Sequence, residues 1–420
     1  MPTPALRLSA TGQRAKFPPV AKLISLAVEN KNLLSLAAGF TDNATLPVQG
    51  ALAAAAAVAA RPGPPDYLQY GATQGRARLR GQLAARLRYW EPELDTDAND
   101  RRFLVTNGSQ QSLYIAVQSL CDPGDIVLVD RPSYFAFLDV VAELGARAVS
   151  LPYDDAGRLH EDTLRPFLKN LAAGPDAKRV KALYVVSYFS NPTGRCLGDA
   201  DKRLLGRLLT EHGFTVPVIE DVAYRELFFE QPHPVRSTLT LPEWAGFPRF
   251  YCATLTKPFA TGMKVGYGYC TDEKWLGQML AIKGNHDFGT SNYLQAVFEE
   301  MLAAGGFENH LPIIRRAHFE KMKALYAAFE EAGLRRAGWS WERPTGGLYL
   351  WLRAPEGTDL SMDGAFCRAC IDAGVLYVPG DLFFCDRVEK NWARLSFGVL
   401  APDQLREAAK RFALVAKRFA

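Results

Sequence analysis

From Arg102 onward the chain alternates short apolar runs with longer amphipathic stretches: FLVT, then GSQQSLYIAVQSL, then IVLVD, then PSYFAFLDVVAELG. Strand, helix, strand, helix is the pattern of a parallel sheet joined by crossovers, since parallel neighbours cannot be linked by a tight turn. The pattern continues through ALYVVSY, TVPVIED and RFYCATLT. In an open α/β sheet, ligands bind beyond the carboxyl ends of the strands. The residues that close these apolar runs are therefore the first candidates for chemistry.

Foremost among them is Lys257, which ends ATLTK and precedes Pro258. Proline biases the residue before it towards an extended backbone, so the amine projects from a strand end. Beside Thr256 and an apolar loop it can be desolvated and act as a nucleophile, although a single such lysine is equally a solvated loop residue. Asp221 closes VIED, where a charge is costly without a cationic partner; a structural salt bridge would serve as well. Tyr224 follows three residues later and Asn191 stands in the turn FSNPTG, bent by Pro192 and Gly194. The turn TNGSQ sets Ser109 and Gln110 at a helix start that suits an anion, while Ser109 also reads as an ordinary helix cap. Gly39 in LAAGF allows close backbone approach or merely a turn. Arg394 alternates with Leu395 and Phe397 in NWARLSF, which aims one guanidinium at an interdomain cleft or simply at solvent.

The chain of 420 residues exceeds the size at which one core stops growing, so two domains are expected. A long amphipathic stretch over 311–332 links them. The expected division is an amino-terminal segment, 1–65, that contributes to the small domain; a large domain, 66–310, with a mostly parallel central sheet; and a small α+β domain, 311–420. A short helix is expected in VAKLISLAVEN. The net charge of +4 includes no basic block, which argues against nucleic-acid binding. The most lipid-like run, Ala51–Ala60, is too short to span a bilayer, so no membrane partner is expected. Seven cysteines without a regular framework fit a reducing, cytoplasmic compartment. Cys367 and Cys370 form a CxxC pair without a second pair nearby, which reads as core packing and no metal site.

The order of LAAGF, YGATQG, TNGSQQSL, PSYF, NPTG, VIEDVAY, ATLTK with GMKVGY, PTGGLYLW and NWARLSF resembles the class I/II aminotransferases of the fold-type I pyridoxal-phosphate enzymes. Within them it is most similar to the branch of 2-aminoadipate and kynurenine-type aminotransferases. The resemblance runs from about Leu36 to Phe397. It implies pyridoxal 5'-phosphate as cofactor, linked as a Schiff base to Lys257, which then moves the substrate Cα proton. It implies Asp221 at the pyridine nitrogen, Asn191 and Tyr224 at the ring 3'-oxygen, and Tyr134 stacked on the ring. It further implies Ser109, Gln110, Thr254, Thr256 and Lys264 around the phosphate, with Tyr70 reaching it from the other subunit of a homodimer. Arg394 would clamp the α-carboxylate of an amino acid or 2-oxo acid, with Gly39 and Asn191 beside it.

Some residues depart from that pattern. Lys264 stands where the family usually carries arginine, giving the phosphate a point charge instead of a planar fork. Threonines replace the usual serines near the lysine, Ser190 replaces a frequent glutamine, and Pro258 follows the lysine directly. The implied reaction is a ping-pong exchange of an amino group between an L-amino acid and a 2-oxo acid. The same scaffold also supports elimination, decarboxylation, racemisation or oxidation, and a non-catalytic effector-sensing module is a third reading. Arg14, Lys283, His286 and Asp287 fall in segments that could border the pocket and read the substrate side chain.

Overall fold

A computed structural model describes residues 6–17, 23, 25, 29–30, 32–94 and 100–419. Most of the helix expected over VAKLISLAVEN lies outside the described residues. Thirteen strands are described: β1 (Leu34–Ser35), β2 (Phe103–Asn107), β3 (Ile126–Val129), β4 (Arg147–Ser150), β5 (Val180–Val186), β6 (Val218–Asp221), β7 (Arg249–Thr254), β8 (Val265–Cys270), β9 (Ser340–Trp341), β10 (Tyr349–Arg353), β11 (Val375–Leu376), β12 (Val378–Pro379) and β13 (Trp392–Ser396). Seven of them form one sheet in the order β2-β8-β7-β6-β5-β3-β4. The five from β7 to β4 run parallel, and β8 lies antiparallel between β2 and β7. Only a tight reversal fits the ten residues between β7 and β8, so the crossover pattern stops there.

The parallel strands are buried on both faces, which is why their sequences are continuously apolar. In β3, Val127 and Val129 pack with Leu113, Ala116 and Phe137 on one side. Ile126 and Leu128 pack with Leu164, Leu168, Leu205 and Leu208 on the other. This places β6 at the centre of the sheet, with Asp221 at its carboxyl end and helices above and below.

The 26-residue helix Gly306–Glu331 leads from this sheet to a four-stranded antiparallel sheet ordered β12-β13-β10-β9. Phe329, Phe366 and Phe412 cover its inner face, where Leu350, Leu352, Ala393 and Leu395 point. Cys367 and Cys370 are free thiols buried in that core, and no metal-binding cluster of His, Cys, Asp or Glu occurs among the described residues. The amino-terminal segment adds β1 in parallel to β11, and Leu36 accepts a backbone bond from Ser396 at 2.6 Å. Residues 34–36 thus join the same layer as the carboxyl-terminal strands.

Two packing constraints set the end of the large sheet where the candidate residues gather. A Cβ at Gly266 would clash with the backbone of Gly108 and Ser109, so β8 can lie against the start of the Gly108–Gln118 helix only without a side chain there. Asp130, just past β3, is buried and accepts from the Val186 amide at 2.7 Å and the Tyr153 hydroxyl at 3.1 Å. Burial pushes its carboxyl up to about 7 against the opposing pull of those two bonds.

Gly266→Ala is expected to destabilise the fold by about 1–3 kcal/mol, because backbone stands on the other side of the new methyl group; urea titration of the purified variant measures it. For Asp130 the folded state holds its proton up to about pH 7 whereas the unfolded chain releases it near 4, so this group's contribution to stability is lost as pH rises through that window. Asp130→Asn, which keeps an acceptor for Val186, is therefore expected to gain about 2 kcal/mol relative to the parent between pH 5 and pH 8. Denaturant titrations of both proteins at the two pH values check the sign.

Candidate active site

The carboxyl ends of β5, β6 and β7, the amino end of the Gly108–Gln118 helix, residues 37–41 and the strands β10 and β13 all converge. At the bottom is Asp221, 5 % exposed, whose two oxygens accept from the Tyr184 hydroxyl at 2.9 Å and the Ala223 amide at 3.0 Å. Burial raises its pKa to about 6, while the Ala223 amide, Tyr184 and the positive charge of Lys257 oppose that rise. The ring of Tyr184 is itself clamped by Phe137, stacked at 3.7 Å between centroids. A carboxylate fixed this way cannot swing to find solvent. The preceding residue, Glu220, points to the opposite face and is absorbed by Ser187, Ser237, Thr238 and Lys202. Of the adjacent carboxylates, only Asp221 faces the cleft.

Lys257 follows β7 in a turn and is partly exposed; its Nζ donates to the Gly39 carbonyl at 2.8 Å. A Cβ at Gly39 would lie 2.5 Å from the Tyr349 hydroxyl, so a larger residue would displace that hydroxyl. That hydroxyl shares a 3.1 Å hydrogen bond with the hydroxyl of Tyr224. Burial holds Tyr224 and Tyr134 well above the usual phenol range, so both remain neutral donors.

Arg394 is 2 % exposed on β13 and lies over the Tyr349 ring at 4.4 Å. One Nη donates to the Asn191 side-chain oxygen at 3.0 Å, the other to the Ala37 carbonyl at 2.6 Å. Among the described residues its buried Nε has no partner and no carboxylate pairs with the group. Burial pulls its pKa down, with the neighbouring tyrosines opposing. A buried guanidinium held only by neutral oxygens is a site for a carboxylate from outside the chain.

Thr254 and Thr256 both turn their hydroxyls to the Val265 carbonyl at 3.4 Å. They flank the first turn of the Gly108–Gln118 helix, whose N-cap Asn107 makes no side-chain bond to it. Ser109 is thus the second helical residue and not the cap, and the amides of Gly108, Ser109 and Gln110 lie in the first turn, where the helix supplies no acceptor for them. An uncapped helix start beside hydroxyls suits a phosphate dianion, and the Arg394 and Asp221 pair suits an amino-acid-laden pyridine; the residues present fit pyridoxal phosphate. Lys264 is exposed and adopts a left-handed backbone, φ 50°. Tyr70 is 91 % exposed and meets only the ring of Phe288, 6.4 Å away, itself an exposed residue.

The four residues considered for side-chain recognition fare differently. Arg14 donates to the Glu143 carbonyl at 3.0 Å, on the outer face of the Phe135–Glu143 helix. Lys283 is buried against Asp287 at 2.8 Å, and Asp287 also accepts from Asn107 and Gln111, each at 2.8 Å. These two brace the helix start instead of offering a free charge. His286 packs its ring against Tyr114 at 6.0 Å. Sequence reasoning missed Tyr349, Tyr184 and the Ala37 carbonyl. Tyr349 stood in view in PTGGLYLW, but nothing local marked it, because its partners are 125 residues earlier and across the cleft.

The aminotransferase class I and II family matches this chain over residues 31–412. The chain is 30% identical to the 2-aminoadipate transaminase of Thermus thermophilus, an alignment spanning 93% of this chain and 92% of that one. To the aromatic-amino-acid aminotransferase 1 of Thermococcus litoralis it is 29% identical over 94% of this chain and 90% of the other. Among solved structures it superposes on the Pyrococcus horikoshii kynurenine aminotransferase, in complex with PMP and kynurenine, with a TM-score of 0.85 and 29% identity, over 98% of this chain and 97% of that one. With that match, the fold-type I sheet and a cleft whose residues fit the cofactor, the chain belongs to the class I and II aminotransferases and is a pyridoxal-phosphate-dependent enzyme.

Proposed function

We propose that the enzyme moves an amino group from an aromatic or long-chain L-amino acid to a 2-oxo acid, with Lys257 moving the proton at the substrate Cα. The observation that carries this is the single chain of contacts Lys257, Gly39, Tyr349, Arg394 and Asn191, which sets one amine and one uncompensated guanidinium on either side of the same cleft. The preference for the donor rests on the named activities of the relatives and on the pairing of Lys283 with Asp287, which leaves neither charge free for a substrate side chain.

Bound pyridoxal phosphate supplies an aldehyde that takes the amino group and a ring that withdraws electrons from the substrate Cα. Asp221 holds the proton on the pyridine nitrogen, for which a carboxylate already paired with Tyr184 and Ala223 is preorganised. Tyr224 and Asn191 would donate to the ring oxygen, and Tyr134 would cover the ring. The amides of Gly108, Ser109 and Gln110, with Thr254, Thr256 and Lys264, take the phosphate. Arg394 binds the α-carboxylate and so fixes which bond at Cα faces Lys257. Tyr70, exposed in one chain, reaches the phosphate of the partner in a cytoplasmic homodimer. The amino-terminal segment, 1–65, contributes β1 to the small domain, 311–420, which closes the cleft over the large domain, 66–310, while the Val48–Ala59 helix packs on the large domain through Ala54 and Val58.

Lys257→Ala is expected to abolish the absorbance of the lysine-bound cofactor and to lower turnover by at least about 10⁴-fold with the fold intact, the scale of losing both a nucleophile and an acid–base group. Absorbance and peptide mapping after borohydride reduction measure it; a pyridoxyl adduct on another peptide would move the site. Arg394→Lys is expected to raise the amino-acid KM by roughly 10- to 100-fold through loss of the fork. Steady-state kinetics with L-2-aminoadipate, L-tyrosine and L-kynurenine, each with 2-oxoglutarate, and with L-glutamate and pyruvate, identify the donor. Unchanged KM values would remove Arg394 from the carboxylate site.

A further inference from the structure

Residues 36–42 supply the carbonyl oxygens that hold both active groups: Ala37 accepts from Arg394 and Gly39 accepts from Lys257. Leu36 anchors the start of the segment through backbone bonds to Leu376 and Ser396, but 37–42 belong to no described strand. The segment's downstream end is tied by Lys321, on the Gly306–Glu331 helix, which is 3 % exposed. The three protons of its ammonium have three acceptors: Asp42 Oδ2 at 2.6 Å, the Gly398 carbonyl at 3.2 Å and the Val399 carbonyl at 3.1 Å. Gly398 in turn receives the Phe40 carbonyl, which would lie 2.5 Å from any Cβ there. Asp42 uses its other oxygen to accept from the Ala44 amide at 3.0 Å.

We propose that Lys321 is a positioning residue for the reaction: by joining Asp42 to the chain just beyond β13, it holds the Ala37 and Gly39 carbonyls in register with Arg394 and Lys257. The inference rests on the roles given above to those two residues. A buried ammonium with every proton engaged has one geometry, whereas a neutral side chain of the same length leaves Asp42 and two carbonyls without it. The segment would then relax away from the cleft while the two cores, which Lys321 does not hold together, stay packed. Both active groups lose an acceptor in that event. The loss falls on substrate affinity and on the environment of Lys257 more than on the fold.

The test uses the cofactor-loaded enzyme and the variant Lys321→Met. Hydrogen–deuterium exchange of peptides covering 36–45 is expected to quicken, and the pH midpoint of the lysine-bound cofactor absorbance to shift. KM for the fastest of the four amino acids named above is expected to rise about tenfold with kcat changed by less than about threefold. Unchanged exchange, midpoint and KM in a folded, loaded variant would overturn the proposal, as would an equal fall in kcat alone. If Lys321→Met does not fold, Asp42→Asn serves in its place, since it keeps an oxygen for Ala44 and weakens only the ion pair; the same shifts at about two- to threefold support the proposal and their absence refutes it. Arg394→Lys run alongside separates the two claims: if it leaves KM unaltered, the carboxylate assignment fails irrespective of Lys321.

Discussion

Burying the Arg394 guanidinium without a carboxylate is the constraint around which the cleft is built. A charge at 2 % exposure is tolerable only because two neutral oxygens and one aromatic face, from three distant parts of the chain, converge on it: Ala37, Asn191 and the Tyr349 ring. Each donor of that solvation comes from a different layer. The amino-terminal segment, the large sheet and the small sheet must all be in place before the charge is paid for. The cleft exists only when the whole chain has folded.

Asp221 presents the complementary case on the other side. Its carboxylate sits at the end of the central strand, where both neighbours are parallel and solvent is excluded. Tyr184 and the Ala223 amide orient it without neutralising it. A negative charge so held attracts a cationic heterocycle, and an unpaired guanidinium across the cleft attracts an anion. A molecule positive at one end and negative at the other, such as an amino acid joined to a protonated ring, satisfies both. The electrostatics of the protein side chains therefore already describe the class of molecule that the family handles.

Gly39 and Gly266 show how the same logic works through shape. Both are places where a methyl group would strike a site element, the Tyr349 hydroxyl in one case and the first turn of the Gly108–Gln118 helix in the other. The brace formed by Lys283, Asp287, Asn107 and Gln111 holds that helix start from outside the cleft. These charged residues looked in the sequence like candidates for reading a substrate. Their polar groups are instead consumed by one another, a distinction that no spacing along the chain can express.

The sheet, its helices and the strand-end position of Asp221 were legible because continuous apolar runs make doubly covered strands, whereas Lys257 lies in a turn three residues past the end of β7 and not in the extended backbone that Pro258 suggested. The antiparallel insertion of β8 between β2 and β7 was not legible, since strand order depends on pairings between segments more than 150 residues apart. Nor could the role of Ser109 be chosen between cap and anion site until the helix was seen to begin one residue earlier, at Gly108. Sequence alone determined which residue types end the strands and which family pattern they follow. Tertiary structure alone decided which charges remain unpaired, because whether Arg394 or Lys283 has a partner depends on what other segments bring to it through space.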